Sequence, residues 1–149
     1  MSSNNTNAFT STVLPPGNTG ATDLVVFSHL RWDFVYQRPQ HLLSRCARKR
    51  RVFFVEEPVF GNCSMRLEVR EADPGVHVVV PHLPEGLRSE IAINAVMKDL
   101  TRQLFLAQGI KEYVFWYYTP MALRFTHKFK PVASVYDCMD ELSAFKDAH

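Results

Sequence analysis

The sequence lacks any long hydrophobic run, and no stretch approaches the roughly 18 apolar residues that a membrane-spanning helix needs. Its first 22 residues are rich in Ser, Asn, Thr, Gly and Pro, and they lack the charged start and apolar middle of a secretion signal. We therefore predict a disordered tail over residues 1–22 and a folded part that begins at Asp23. A cytoplasmic location is expected, and attachment to the inner face of the membrane stays open.

The sequence also lacks a strong charge of either sign. Lys and Arg number 17 against 15 Asp and Glu, a net charge of +2, so no nucleic-acid partner is expected. One basic run, at Arg45 and residues 48–51, is typical of a solvated helix end, although a phosphate or membrane-surface patch is the alternative. Cys46, Cys63 and Cys138 have no paired spacing, which indicates reduced thiols rather than disulfides or a zinc site.

Nucleotide and metal motifs are missing as well. The loop after the first predicted strand has no glycine, unlike the glycine-rich turn that binds dinucleotides, and there is no P-loop pattern. A hydride-transfer enzyme that uses this strand is therefore excluded. No metal and no bound cofactor are expected, because no His, Cys, Asp or Glu residues have metal-ligand spacing.

Short apolar runs alternate with amphipathic stretches along the rest of the chain. The runs predict strands buried on both faces of a parallel sheet, at residues 24–27, 52–55, 113–118 and 132–136. Helices are predicted between these strands, at residues 39–47, at residues 87–108 with Gly109 as the C-cap, and after Thr119 and Pro120.

A different pattern separates the second strand from the long helix. Residues 67–71 alternate with period two, residues 73–75 signal a turn, and residues 76–80 predict another strand that Pro81 and Pro84 end. We interpret this segment as a β-hairpin whose second arm can join the main sheet. The fold class is therefore predicted as α/β, a Rossmann-like parallel sheet with helices on both faces and an inserted β-hairpin.

Polar residues follow each predicted strand. Ligands of open parallel sheets bind beyond the carboxyl ends of the strands. The candidate residues there are Ser28, His29, Arg31, Glu56, Glu57, His82, Thr119, Asp137 and Asp140. Their concentration at one edge of the sheet predicts a binding site at that edge.

The loop over residues 28–40 carries most of the candidate binding groups. Sugar recognition uses aromatic faces and planar polar groups, and this loop has both, in His29, Arg31, Trp32, Tyr36, Gln37 and Arg38. Backbone N–H groups at the helix start near Pro39 can also meet an anion. The structural alternative is that Trp32 and Tyr36 pack the loop and that Arg38 pairs with a carboxylate.

The candidate acids and bases are His29, Asp137 and Asp140. His29 directly follows the first strand, whereas His41 lies within a predicted helix, and histidine is a common base near neutral pH. Asp137 and Asp140 either cap a following helix or face the cleft, where a carboxylate orients a substrate hydroxyl or acts as base.

Three segments resemble one enzyme family. They are residues 27–42, with Tyr36-Gln37-Arg38-Pro39-Gln40-His41-Leu42 as the most specific part, then Val55-Glu56-Glu57-Pro58, and then Tyr136-Asp137-Cys138-Met139-Asp140-Glu141. They resemble the first lobe of bacterial glycosyltransferases of the GT-B fold, of the group 1 and group 4 related kind that act in cell-surface polysaccharide and teichuronic acid synthesis. The matches are spread over residues 24–147.

The resemblance implies two facing lobes. The first would bind a sugar or lipid-linked glycan acceptor, and the second a nucleotide sugar, usually without a metal. It places His29, Arg31, Trp32, Gln37 and Arg38 on the acceptor side, and Asp137 and Asp140 at the cleft floor. With the residues that follow the strands, the expected acceptor-binding set is Arg31, Trp32, Tyr36, Gln37, Arg38, Glu56 and Thr119, and the expected catalytic set is His29, Asp137 and Asp140.

Residues 23–149 are thus expected to form an acceptor-side lobe that is truncated at its C-terminal end. Such a lobe would be inactive alone, because the nucleotide sugar is a co-substrate of the missing second lobe. It would expose apolar surface, so self-association is expected. The alternatives are a stand-alone binding or regulatory module with a flavodoxin-like sheet, and a partner protein that docks through an exposed sheet surface.

Overall fold

The computed structural model describes residues 21–34 and 36–137, and this part of the chain has an α/β fold. Its strands are β1 (Asp23–Phe27), β2 (Val52–Val55), β3 (Val59–Gly61), β4 (Arg66–Asp73), β5 (Val76–Pro84), β6 (Tyr113–Tyr117) and β7 (Ala133–Tyr136). Its helices are α1 (Arg38–Cys46), α2 (Glu90–Gln108) and α3 (Leu123–Thr126), the last preceded by a 3-10 turn, Pro120–Ala122. Of the tail predicted for residues 1–22, residues 1–20 lie outside the described part of the chain.

Six strands run parallel in the order β3-β5-β2-β1-β6-β7, with the three-residue β3 at the edge beside β5. Numbered along the chain without β3, the other five strands have the order 3-2-1-4-5 of a Rossmann sheet, whereas a flavodoxin-like sheet has the order 2-1-3-4-5. The Rossmann-like prediction is confirmed, and the sheet does not have the flavodoxin-like strand order that accompanied the alternative of a stand-alone module. The direction of strand addition reverses between β1 and β6, so the switch point of the sheet lies between them.

β4 and β5 form the predicted hairpin, with Gly75 at φ 79° in its turn. β5 also pairs in parallel with β2, so its second arm joins the main sheet. The strand ends at Pro84, as predicted, but Pro81 does not end it, because β5 continues past Pro81 to Pro84. On that edge, β2 pairs with β5 up to Val79 and β3 begins to pair at His82, so Pro81 interrupts no ladder there.

The helices cover both faces of the sheet, as predicted, and divide the core in two. Leu100 and Leu104 of α2 pack against one face, with Phe27 and Phe115. Leu43 of α1 packs against the opposite face in the second cluster. The edge strand β7 forms as predicted, but its side chains are mostly exposed rather than buried.

α2 is the longest described helix, and its ends follow its capping residues. It begins three residues later than residue 87, because the Ser89 hydroxyl accepts the backbone N–H of Ala92 at 3.4 Å. It ends at Gln108, and the C-cap Gly109 has a φ of 64°, which suits glycine. Among the described residues, no helix has the length and apolar character needed to cross a membrane.

Candidate functional site

The carboxyl ends of β2, β1, β6 and β7 meet along one edge of the sheet, which we call the carboxyl edge. The first residue beyond each strand still pairs with the neighbouring strand through its backbone N–H, at 2.9 to 3.0 Å; these residues are Glu56, Ser28, Tyr118 and Asp137. They therefore stand in one row across the switch point, the place at which sheets of this order bind ligands.

Glu56, at the end of β2, forms hydrogen bonds with the loop after β1. Its buried carboxylate accepts the backbone N–H of Trp32 at 2.9 Å through Oε1 and the guanidinium of Arg31 at 3.0 Å through Oε2. Arg31 also donates to the carbonyl oxygen of Glu57 at 2.6 Å. A buried carboxylate needs pairing of this kind. Glu56 thus positions the loop, while the Arg31 side chain stays 40% exposed and reachable by a ligand.

Trp32 is packed in the core. It is 6% exposed, and its ring meets that of Phe54 edge-on at 5.1 Å. Its carbonyl oxygen accepts the side-chain amide of Gln40 at 2.9 Å, and Gln40 Oε1 accepts the backbone N–H of Gln37 at 2.9 Å, which ties the loop to the start of α1. The structural alternative for Trp32 is confirmed: its ring is not presented for stacking on a sugar.

Arg38 and Asp137 form an ion pair across the switch point. Arg38 Nη2 lies 3.3 Å from Asp137 Oδ1, and the arginine side chain is 66% exposed, against 9% for the aspartate. The structural alternative for Arg38, pairing with a carboxylate, is therefore also confirmed. A ligand can still reach the guanidinium, because most of it faces solvent.

Three buried polar atoms lie behind this ion pair. They are Asp137 Oδ2, the Tyr118 hydroxyl and the Trp116 indole nitrogen, and none makes a hydrogen bond of standard geometry within the described residues. Trp116 and Asp137 are nevertheless close enough to the Tyr118 hydroxyl to influence its pKa. Burial and then the charge of Asp137 raise the pKa of Tyr118 to about 12. The phenol therefore stays protonated at neutral pH and remains a potential donor to the inner oxygen of Asp137.

The loop after β1 also exposes two of the predicted side chains. His29 is exposed and directly follows buried Ser28. Tyr36 is exposed too, and its ring meets the His41 ring edge-on at 4.4 Å. The two side chains are therefore open to a ligand at this edge.

Thr119 begins the turn after β6. Its hydroxyl accepts the backbone N–H of Met121 at 3.3 Å, which confirms its predicted capping role. Asp140 lies outside the described residues. Of the three predicted catalytic side chains, His29 and Asp137 thus have a described position, both at the carboxyl edge.

A cavity of about 420 Å³ opens on the α2 side of the carboxyl edge, and we call it the α2-face cavity. The ends of β1 and β2 contribute to it, as do the first turns of α2 and the segment from Thr119 through α3. Most of its lining is apolar, including Phe27, Val55, Ile93, Met97, Ala122 and Phe125. Cavities of this size and character commonly bind small molecules.

A few polar groups also line the α2-face cavity. Ser28 and Thr119 supply hydroxyls, and Asn94 supplies an amide. The Ser28 oxygen accepts the backbone N–H of Leu30 at 2.9 Å, so its own O–H remains able to donate. Glu56 reaches both this cavity and the loop after β1, and so links the two sides of the carboxyl edge.

Sequence interpretation missed the wall that α2 contributes, namely Ile93, Asn94 and Met97. A usable signal was present, because α2 connects the carboxyl end of β5 to the start of β6. The first turns of such a crossover helix must lie near the carboxyl edge, and residues four apart share one helix face. Ile93 and Met97 have that spacing.

Within residues 21–34 and 36–137, no three His, Cys, Asp or Glu side chains come together as a metal-ligand group. Comparisons with protein-family models, with curated proteins and with solved structures find no match to this chain. The functional argument therefore depends on the geometry of the carboxyl edge and on the residues that compose it.

Proposed function

We propose that this chain is the acceptor-binding lobe of a glycosyltransferase of cell-surface polysaccharide synthesis. It would present a sugar or lipid-linked glycan to a nucleotide sugar held by a second lobe. The observation that carries the proposal is the position of the cavity and of the solvent-accessible Arg31 and Arg38, all at the carboxyl edge of a Rossmann-ordered sheet, which includes its switch point. The resemblance of residues 27–42 to such lobes supports it.

The two exposed guanidiniums suit an acceptor rich in hydroxyls or carrying a phosphate. Arg31 is paired with Glu56, and Arg38 is paired with Asp137, so each guanidinium has a fixed position. Part of each guanidinium also faces solvent, where its N–H groups can donate to a ligand. Such preorganised donors orient a polar ligand at little entropic cost. Arg31 and Arg38 are therefore the acceptor-binding residues that the geometry supports best.

His29 is the proposed general base. In transfer, the acceptor hydroxyl oxygen attacks the anomeric carbon of the donor, the nucleoside diphosphate leaves, and the hydroxyl proton passes to the base. His29 is exposed at the carboxyl edge, whereas the inner oxygen of Asp137 is buried. Without a donor lobe, the chain is expected to bind the acceptor but not to transfer a sugar.

The test is an NMR titration that follows the backbone amides and the indole N–H signals of Trp32 and Trp116. Free disaccharides such as maltose, cellobiose and chitobiose are added first, and UDP-glucose and NAD⁺ separately. We expect at least one disaccharide to shift amides at the carboxyl edge, and neither nucleotide to do so. Binding of UDP-glucose or NAD⁺ without any disaccharide would instead favour a stand-alone nucleotide-binding module.

A matched pair of variants assigns the site. Arg38→Ala should weaken the disaccharide by about tenfold, because one charge-assisted set of hydrogen bonds is lost. Arg45→Ala removes an exposed arginine from the last turn of the same helix and should leave binding unchanged. Equal binding by both variants would remove Arg38 from the site.

A further inference from the structure

We propose that the α2-face cavity binds an apolar substituent of the acceptor, an alkyl or aromatic group, while the attached sugar remains outside it. This inference rests on the proposed acceptor-binding function and deepens it. It assigns the apolar group to the α2 side of the carboxyl edge, and the sugar to the side that carries Arg31 and Arg38.

The lining of the cavity argues against a sugar ring inside it. A sugar carries hydroxyls on most of its carbons, and each buried hydroxyl needs a hydrogen-bond partner. Most of the lining surface is apolar, and its uncharged polar groups among the described residues are those of Ser28, Thr119 and Asn94. Both carboxylate oxygens of Glu56 already accept other bonds. An alkyl or aromatic group gains from burial against the apolar walls without that requirement.

The size of the cavity limits the group that fits. Its volume of about 420 Å³ is within the range of small-molecule sites. That space takes a short alkyl chain or an aromatic ring, or one end of a longer hydrocarbon. Such a group would contact the paired walls formed by Ile93 and Met97 of α2 and by Ala122 and Phe125 after β6.

Charged side chains also line the cavity beside these apolar walls. They would orient an amphipathic molecule. Arg88 and Glu57 are exposed, and Arg124 pairs with Glu90, and all four line the cavity. An apolar interior beside exposed charges favours a ligand that places its apolar end inside and its polar end towards solvent. A glycoside with a hydrocarbon aglycone has that form.

The test compares n-octyl and methyl β-D-glucopyranoside, which share a sugar and differ in the aglycone, by NMR of ¹³C-methyl methionine. Met97 and Met121 line the cavity, whereas exposed Met65 does not and serves as the internal control. We expect the octyl glycoside, below its micelle concentration, to shift Met97 and Met121 and to bind at least about tenfold more tightly than the methyl glycoside. Equal binding of both would overturn the inference and leave sugar binding intact.

1-Octanol separates this inference from the proposed function. If octanol shifts Met97 and Met121 but no glycoside or disaccharide binds, the apolar site stands and the glycosyltransferase proposal fails. If the octyl glycoside shifts Met65 as much as Met97, the effect is general detergent association and the inference fails. Absence of any shift at Met97 and Met121 also overturns it.

A cavity-filling variant completes the test. Ala122→Leu places a larger side chain at a buried lining position and should weaken the octyl glycoside by about tenfold or more. Ala95→Leu makes the same change at an exposed position of α2 outside the lining and should bind normally. If Ala122→Leu does not fold, Ile93→Trp fills the same cavity from a half-buried position. Unchanged binding by a folded filling variant contradicts the assignment.

Discussion

The buried rings of Tyr118 and His77 make the stability of the folded chain depend on pH. Tyr118 acts at alkaline pH and His77 at acid pH. Burial raises the pKa of Tyr118 to about 12, and burial lowers the pKa of His77 below 6.5. In both cases the folded chain favours the neutral form. The folded state therefore loses stability when the pH rises far enough to ionise the phenol, or falls far enough to protonate the imidazole.

Replacing Tyr118 with phenylalanine should reduce alkaline destabilisation. The pKa of Tyr118 is higher in the folded chain than the ordinary value of 10.0, so its contribution is complete below pH 10 and is lost between pH 10 and about 12. The loss is on the order of 2 kcal/mol. Urea denaturation across this interval should show a shallower fall in the free energy of unfolding for Tyr118→Phe than for the unaltered chain. Tyr36→Phe, at an exposed position, should keep the original slope.

Replacing His77 with leucine should reduce acid destabilisation. Burial is the main cause of the lowered pKa of His77, so the unfolded chain takes up the proton first and stability falls as the pH drops below 6.5. The His77 ring packs on Phe53 at 5.2 Å, and leucine can retain that apolar contact without titrating. In denaturation experiments at successive pH values below 6.5, the free energy of unfolding should therefore fall less steeply for His77→Leu than for the unaltered chain. A slope equal to that of the exposed control His127→Gln would contradict this account.

At the scale of elements, the hairpin is tied to the first helix through one glycine. Gly75 has a φ of 79°, and a Cβ there would lie 2.7 Å from the carbonyl oxygen of Ala47, just after α1. The turn of the hairpin and the end of α1 are therefore in direct backbone contact. This contact lies on the α1 side of the sheet, at the end opposite the carboxyl edge.

Gly75→Ala should destabilise the chain by about 2 to 4 kcal/mol, because the new methyl group forces both an unfavourable φ and a close contact. Gly86→Ala is the matched control, since no atom lies within 4 Å of its Cβ position and its φ is not positive. It should change the free energy of unfolding by less than about 0.5 kcal/mol. Urea denaturation of both variants checks the difference, and equal stabilities would rule out the contact.

Sequence patterns predicted the elements that local chemistry determines. β1 and β2 are continuous apolar runs, and α2 has both a capping serine and a terminal glycine. β3 was not predicted, because its three residues form a strand only by pairing with the far end of β5. The extension of β5 through Pro81 has the same non-local cause, since β2 and β3 leave a gap at Pro81 on one side while β4 pairs with β5 on the other.

The candidate site likewise has a part that the sequence predicted and a part that it did not. The row of residues at the carboxyl edge follows from strand ends and was predictable, as was the gathering of Arg31, Arg38 and Glu56 near it. The packing of Trp32 on Phe54 was not decided by sequence, because an aromatic residue in a loop suits both stacking and burial. The α2-face cavity is formed by segments far apart in the chain, so no local pattern predicts the whole of it, although the spacing of Ile93 and Met97 indicates the wall that α2 contributes.

Among the described residues, most large exposed apolar side chains belong to segments at the carboxyl edge or directly after it in the chain. Of ten large exposed ones, eight lie at the carboxyl edge or in the segments that follow it: Phe34, Tyr36, Val59, Phe60, Met65, Ile91, Met121 and Tyr136. Leu106 and Val132 lie towards the opposite edge. Exposed apolar surface is typical of an interaction face, so these segments are the candidates for the self-association that the sequence predicts.

Self-association of this chain should therefore depend on the carboxyl edge. The double variant Phe34→Ser and Phe60→Ser removes two exposed aromatic rings from it, whereas Leu106→Ser removes one still more exposed apolar side chain from the opposite side. Sedimentation velocity over rising protein concentration should show association in the unaltered chain and in Leu106→Ser, and much weaker association in the double variant, because burial of aromatic surface drives such contacts. A monomer at every concentration would show that this face does not bind a second copy. Equal association by all three proteins would place the contact elsewhere.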